Sequence, residues 1–185
     1  MQHASAGSAV DGLVPVLETE RLRLRGHRAE DHEALAAIWA DPEVIRYMGG
    51  TPSSWQESWM RLLRYPGLWA LLGYGFWAIE EKASGRMIGD IGYTDFKREI
   101  EPPLDGMPEL GWALARDTQG KGYASEALAA VLAWGRAHFG AHRATCIIDP
   151  DNAASIRLAT KAGFRFSHAT TYRGDPTHVF VRDEA

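Results

Sequence analysis

The chain has 185 residues, 45% hydrophobic and 24% charged, the composition of an ordinary soluble globule long enough to bury a real core. A formal net charge of −4 and an isoelectric point near 6.0 exclude the basic excess of a general nucleic-acid binder, and one cysteine, Cys146, excludes an internal disulfide and a cysteine-rich zinc site. Residues 1–15 show neither a basic leader nor a long apolar run and no later stretch could span a membrane, so the expected home is the cytoplasm, with residues 1–16 a flexible segment and 17–185 one domain.

In chain order, Leu17 to Arg25 alternates Leu22 and Leu24 with arginines, the pattern of a half-buried strand with one polar face. Glu30 to Ala40 predicts a helix with Leu35, Ile38 and Trp39 inward, closed by Asp41-Pro42. Thr51 to Ser54 opens a second helix, which carries Trp55, Trp59, Leu62 and Leu63 as far as Pro66-Gly67. Tyr74 to Glu81 and Met87 to Phe96 read as strands joined through Ala83-Ser84-Gly85, and Ile100 to Pro108 as a loop. After the central stretch, Arg143 to Asp149 reads as a strand, Asn152 to Ala162 as a helix, and Phe164 onward as two terminal strands. This order predicts an α+β plan with a mixed sheet.

The central stretch is Glu109 to Leu128. Leu110, Trp112 and Leu114 alternate with Gly111, Ala113 and Ala115, as on a strand. From Tyr123 the apolar residues fall three or four apart, which predicts a helix to about Phe139, before Gly140. The glycines of Gln119-Gly120-Lys121-Gly122 let the backbone between them approach a ligand closely. The free amides of the first helical turn favour an anion such as a phosphate. A Walker loop would need Ser or Thr where Gly122 follows Lys121, and a dinucleotide fingerprint would need glycine where Ser125 stands.

What fits instead is Gln-x-x-Gly-x-Ala, as Gln119, Gly122 and Ala124, flanked by Glu109-Leu-Gly-Trp-Ala-Leu and by Tyr123-Ala-Ser-Glu-Ala-Leu. This stretch resembles the pyrophosphate loop of the GNAT superfamily of acyl-CoA-dependent N-acetyltransferases, and within it the ribosomal-protein-alanine (RimJ/RimL-type) branch. The Thr19-Glu-Arg-Leu-Arg-Leu-Arg opening and the run from Asp149 to Gly163-Phe164 are similar to the same branch, so the resemblance covers about 17–182. It implies a GNAT fold: a mixed, mostly antiparallel sheet of six to seven strands with flanking helices and a splay between the central strand and the next. The splay would admit the thioester arm of acetyl-CoA. Cofactor contacts are then expected from the backbone of Trp112 and Leu114, from Gln119, Gly120, Lys121, Gly122, Tyr123 and Ala124, and from Asn152.

Acetyl transfer to an amine needs a neutral amine, an anchored acyl group and a proton for the departing thiolate. Glu109 stands where relatives often keep a carboxylate base; by itself it also reads as a solvated charge at a strand end. Asn152 and Ser155 are three apart, so both can share one side of a helical turn, and Asn152 reads as a helix cap as well as a pantetheine contact. The family's tyrosine acid falls at Ala159, so the resemblance passes the thiolate to Ser155, with water as proton source. Lys121 and Arg116 add charge near the phosphates.

No metal is expected, because Gly140 interrupts the spacing of His138 and His142, and Cys146 reads as a buried small residue. Trp55, Trp59 and Trp69 read as packing two helices over the core or lining an acceptor pocket. The expected partners are acetyl-CoA and an amine, either a peptide N-terminus or a small molecule such as a polyamine or aminoglycoside; Glu99, Glu101 and Asp105 keep the small-molecule alternative open. A non-catalytic acyl-CoA-binding sensor on the same fold is the rival of another class, a homodimer is left open, and neither nucleic acid nor membrane is expected.

Overall fold

The computed structural model describes residues 12–104 and 106–184; residues 1–11 of the expected flexible segment, Asp105 and Ala185 lie outside the described residues. Eight strands make one mixed sheet in the order β1-β2-β3-β4-β5-β6-β8-β7. They are β1 Leu17–Glu18, β2 Leu22–Arg25, β3 Phe76–Glu81, β4 Met87–Thr94, β5 Glu109–Leu114, β6 His142–Ile148, β7 Arg165–Tyr172 and β8 Asp175–Glu184. All neighbours pair antiparallel except β5 and β6, which are parallel because the helix between them returns the chain to the same end.

The helices are α1 His32–Ala40, α2 Pro42–Ile45, α3 Trp55–Leu72, α4 Tyr123–Phe139 and α5 Ala153–Lys161. Strand alternation divides the apolar residues between two faces. On one face Leu110, Leu114, Ile88 and Ile91 pack with Ala127, Leu128 and Val131 of α4 and Ala159 of α5. On the other, Ala78, Met87 and Ala113 pack with Leu35 and Ile38 of α1 and Leu62 and Tyr65 of α3.

The α+β GNAT plan is the observed one, with eight strands where six to seven are expected. The extra strand arises because Leu17 to Arg25 is broken by a turn: the Thr19 amide donates to the Leu22 carbonyl at 3.0 Å, and Leu17 folds back to pair with Leu24. Nor is the arginine face uniformly polar. Arg25 is buried, with its guanidinium between Glu80 at 2.6 Å and Asp31 at 2.7 Å. Pro66 does not end the second helix, which runs on to Leu72. The missing proline amide costs the helix a hydrogen bond, but the turn beyond it buries Trp69, whose Nε1–H donates to the Phe76 carbonyl at 3.0 Å. Gly73, at a φ of 75°, then caps the helix. Of the three tryptophans expected to pack the cap, Trp69 is buried but Trp55 is 62% exposed and lies against the His32 ring.

Candidate active site

Strand β5 pairs with β4 along its whole length, from Leu114 with Gly89 to Glu109 with Thr94. Strands β5 and β6 share one rung, Glu109 with Thr145, secured by the Thr145 amide donating to the Pro108 carbonyl at 3.0 Å, and then diverge. This is the splay expected between the central strand and the next. Because the Ala115 amide donates to Ile88 on β4 at 2.8 Å, ladder alternation turns the peptide groups of Trp112 and Leu114 the other way, into the gap. One of those groups is taken: the Gln119 side-chain amide donates to the Leu114 carbonyl at 3.1 Å, folding the loop back onto the strand end. The edge left for a ligand is short, polar and extended.

At the wide end of the gap Gly120 and Gly122 take φ values of 76° and 82°, a left-handed conformation that a side chain strains. Gly122 stands at the N-terminus of α4 with no side-chain cap, and the first helical bond is from Glu126 to the Gly122 carbonyl. The amides of Tyr123, Ala124 and Ser125 therefore carry the positive end of a 17-residue helix without a partner inside it. Lys121 is exposed beside them.

A clamp holds this loop from outside. Glu126 accepts from the Thr19 hydroxyl at 2.6 Å and the Arg21 amide at 2.8 Å, and pairs with the Arg21 guanidinium at 2.7 Å. Burial works against the charge on Glu126, but these bonds outweigh it and hold the carboxyl below its ordinary range. Arg21 also donates to the Lys121 carbonyl at 2.9 Å and lies over the Tyr123 ring, whose hydroxyl donates to Glu81 at 2.6 Å. Sequence reading misses Arg21, Glu126 and Glu81; the signal for the first two is the Thr-Glu-Arg opening together with an acid in the first turn of α4. Arg116, expected near the phosphates, is ion-paired with Asp41 at 3.1 Å.

At the narrow end Glu109 is buried, 6% exposed, so the reading of a solvated strand-end charge is wrong. Both carboxylate oxygens accept from Arg98, at 2.6 and 2.7 Å. The Arg98 guanidinium lies over Phe96 and Tyr172, tying the loop after β4 to the β7–β8 hairpin. Arg98 is a fourth residue that sequence reading misses, since nothing local marks it. Each Glu109 oxygen keeps a further acceptor site.

Asn152 caps α5, its side chain accepting from the Ser155 amide at 3.0 Å. The Ser155 hydroxyl accepts from the Trp112 indole at 3.3 Å, which brings α5 to the side of the gap and leaves the O–H free to donate. Ala159 is fully buried in the core, so no proton donor stands in that slot. Burial pushes the Cys146 thiol up out of the reactive range. His138 stacks on Trp134, and His142 hydrogen-bonds the Gly140 carbonyl. A separate cavity of about 810 Å³ opens between α1 and the β3–β4 hairpin, lined by Arg28, Glu33, Arg86 and Asp117; it meets the loop only through Ala115 to Asp117.

A family model described as an acetyltransferase (GNAT) domain matches residues 21–165. The uncharacterized N-acetyltransferase p20 of Bacillus licheniformis is 31% identical over 150 residues, which are 80% of this chain and 82% of that protein. A solved structure described as a GnaT-family acetyltransferase from Bordetella pertussis superposes with a TM-score of 0.79 at 30% identity, over 91% of this chain and 99% of that one. RimL, the ribosomal L7/L12 alpha-N-protein acetyltransferase, solved in complex with coenzyme A, superposes with a TM-score of 0.73 at 19% identity, over 91% and 98%, a likeness of fold. The family match spans the loop, the splayed strands and Ser155 together, and the chain belongs to the GNAT acetyltransferase family.

Proposed function

We propose that this N-acetyltransferase moves the acetyl group of acetyl-CoA directly to the α-amine of a peptide or protein, in the manner of the RimJ/RimL-type branch. The observation that carries the reading is the single rung at Glu109: a buried carboxylate closes a gap whose open edge is Trp112 and Leu114 and whose mouth is the uncapped first turn of α4. Trp112 and Leu114 hold the pantetheine amides as an added half strand. Gln119 and Gly120 to Ala124 hold the pyrophosphate, with Lys121 as a counter-charge and Asn152 beside the arm. Glu109 receives the ammonium proton, directly or through water. The freed nitrogen lone pair attacks the thioester carbon, the carbon–sulfur bond breaks, and Ser155 donates a hydrogen bond to the thiolate while water supplies its proton.

Two considerations favour an α-amine. It titrates at roughly 8 against about 10.4 for lysine, so at pH 7 about one α-amine in ten is neutral and about one lysine in 2,500. Arg98 already balances the charge of Glu109, and Glu99 and Glu101 are exposed, so among the described residues the narrow end offers a polyamine no buried carboxylate without a cationic partner. A fold likeness to RimL agrees with the choice. Mass spectrometry of a peptide with an N-terminal alanine and an internal lysine, run beside polyamines and aminoglycosides, tests it. Acetylation at the α-amine is expected. Lysine-only modification, or reaction with the small amines alone, overturns the acceptor, and the absence of thiol release with every amine leaves the acyl-CoA sensor.

A further inference from the structure

Four buried threonines occur among the described residues, and three spend their hydroxyl on a backbone carbonyl: Thr118 on Ala115 at 2.7 Å, Thr145 on Phe180 at 2.9 Å and Thr177 on Asp175 at 3.2 Å. The fourth, Thr94, is fully buried and its Oγ1 has no protein partner. A buried hydroxyl left unpaired carries a desolvation cost with nothing to offset it. Thr94 is also the cross-strand partner of Glu109. The next rung inward, Tyr93 with Leu110, packs into the α4 core, so alternation puts the Thr94 and Glu109 side chains together on the opposite face, about 5 Å apart at their Cβ atoms. The Arg98 guanidinium holds Glu109 from one side, and on the same face lie the Phe76 ring, which would come within 3.2 Å of a Cβ at Gly111, and Phe96 stacked on it. Glu109 is flanked by a threonine on each side, and only the one on β6 is already satisfied.

We propose that Thr94 is a positioning residue for the proton-accepting step, its hydroxyl and the Glu109 carboxylate together holding the water that takes the proton of the acceptor amine. The inference rests on the transferase reading above. The Thr94 O–H donates to the water and the water donates to a free Glu109 lone pair, which turns the remaining water lone pair to the amine. The ammonium N–H bond breaks, its proton passes to the water, and a water proton passes to Glu109. The nitrogen keeps its electron pair for attack, and no other reactant is needed.

The test is steady-state kinetics of Thr94→Val and Thr94→Ser, alone and in the Glu109→Gln background, with thermal melting of each protein. Val keeps the shape and removes the hydroxyl. A structural orphan should then melt at the same or a higher temperature and keep its turnover, whereas the proposal expects an unchanged or raised melting temperature with kcat down about tenfold. The KM for acetyl-CoA should move less than about twofold, the loss should be largest on the acid limb of the pH profile, and Thr94→Ser should return most of it. In the Glu109→Gln background the Val change should add little, because both act through one water. Wild-type kcat in Thr94→Val, equal losses in Val and Ser, or fully additive losses would overturn the role while leaving the transferase reading standing. A wild-type protein that releases no thiol with any amine overturns both.

Discussion

Tyr65 lies between a buried base and a buried acid, and the two should pull the pH dependence of stability in opposite directions. The His27 ring stacks on Tyr65 at 4.3 Å with neither nitrogen hydrogen-bonded, and Asp90 accepts the Tyr65 hydroxyl at 2.8 Å. Burial lowers His27 from its ordinary 6.5 to about 3. The unfolded chain therefore takes up a proton that the folded one refuses, so stability is full above pH 6.5 and lost as pH falls towards 3. Between pH 7.5 and 4.5 that loss is about 2.7 kcal/mol, two units at 1.36 kcal/mol each. Burial also raises Asp90, from 3.8 to about 6, against the opposing hydrogen bond from Tyr65, the nearby Arg61 charge and the Trp39 indole. Here the folded state holds its proton longer, so stability falls as pH rises from about 4 to 6, by about 2 kcal/mol over the same interval. The wild-type profile should be nearly flat across this window. Urea titrations at pH 4.5 and 7.5 should show that, relative to wild type, His27→Leu becomes less stable at the higher pH and Asp90→Asn becomes more stable there. Profiles parallel to wild type, or shifts of the same sign in both variants, would refute the account.

Two predictions concern the cofactor and the chemistry. Gly122→Val places a side chain at a φ of 82°, with its Cβ 3.3 Å from Arg21, so calorimetry should find acetyl-CoA affinity reduced about tenfold or more in a protein that still melts cooperatively; unchanged affinity would remove the loop's role. Glu109→Gln should lower turnover about a hundredfold, most at lower pH, and Ser155→Ala should lower it with cofactor affinity intact. A wild-type pH–rate profile in either variant would strike that residue from the mechanism.

The architecture is legible wherever a local pattern and burial agree. Leu110, Trp112 and Leu114 alternate as a strand and the spacing from Ala124 to Trp134 makes a helix, so the stretch that shapes the gap can be placed before any contact is known. Legibility fails where the decisive partner is distant. Arg25 reads as part of a polar face, but Asp31 and Glu80, the latter 55 residues on, together let it be buried. Glu109 reads as solvated because nothing adjacent reveals Arg98. Pro66 fails differently: the local rule is sound, but the burial of Trp69 outweighs it. Trp55 has helical spacing yet sits at the first position beyond the Ser54 cap, where a helix has turned little surface inward.

The clamp at Glu126 bears on how the protein is made. The Gln119 to Ala124 loop is a short local motif, but the bonds that steady its helix come from Thr19 and Arg21, 107 and 105 residues away. During synthesis Thr19 and Arg21 therefore wait for Glu126 until more than half the chain has followed them. Contacts of such long sequence separation form slowly, because the intervening loop must close before they contribute. The motif is thus written early in α4 but acquires its shape only with closure of the whole sheet, and a carboxy-terminal fragment beginning at Glu109 would carry every residue of the signature without the support that aims its amides.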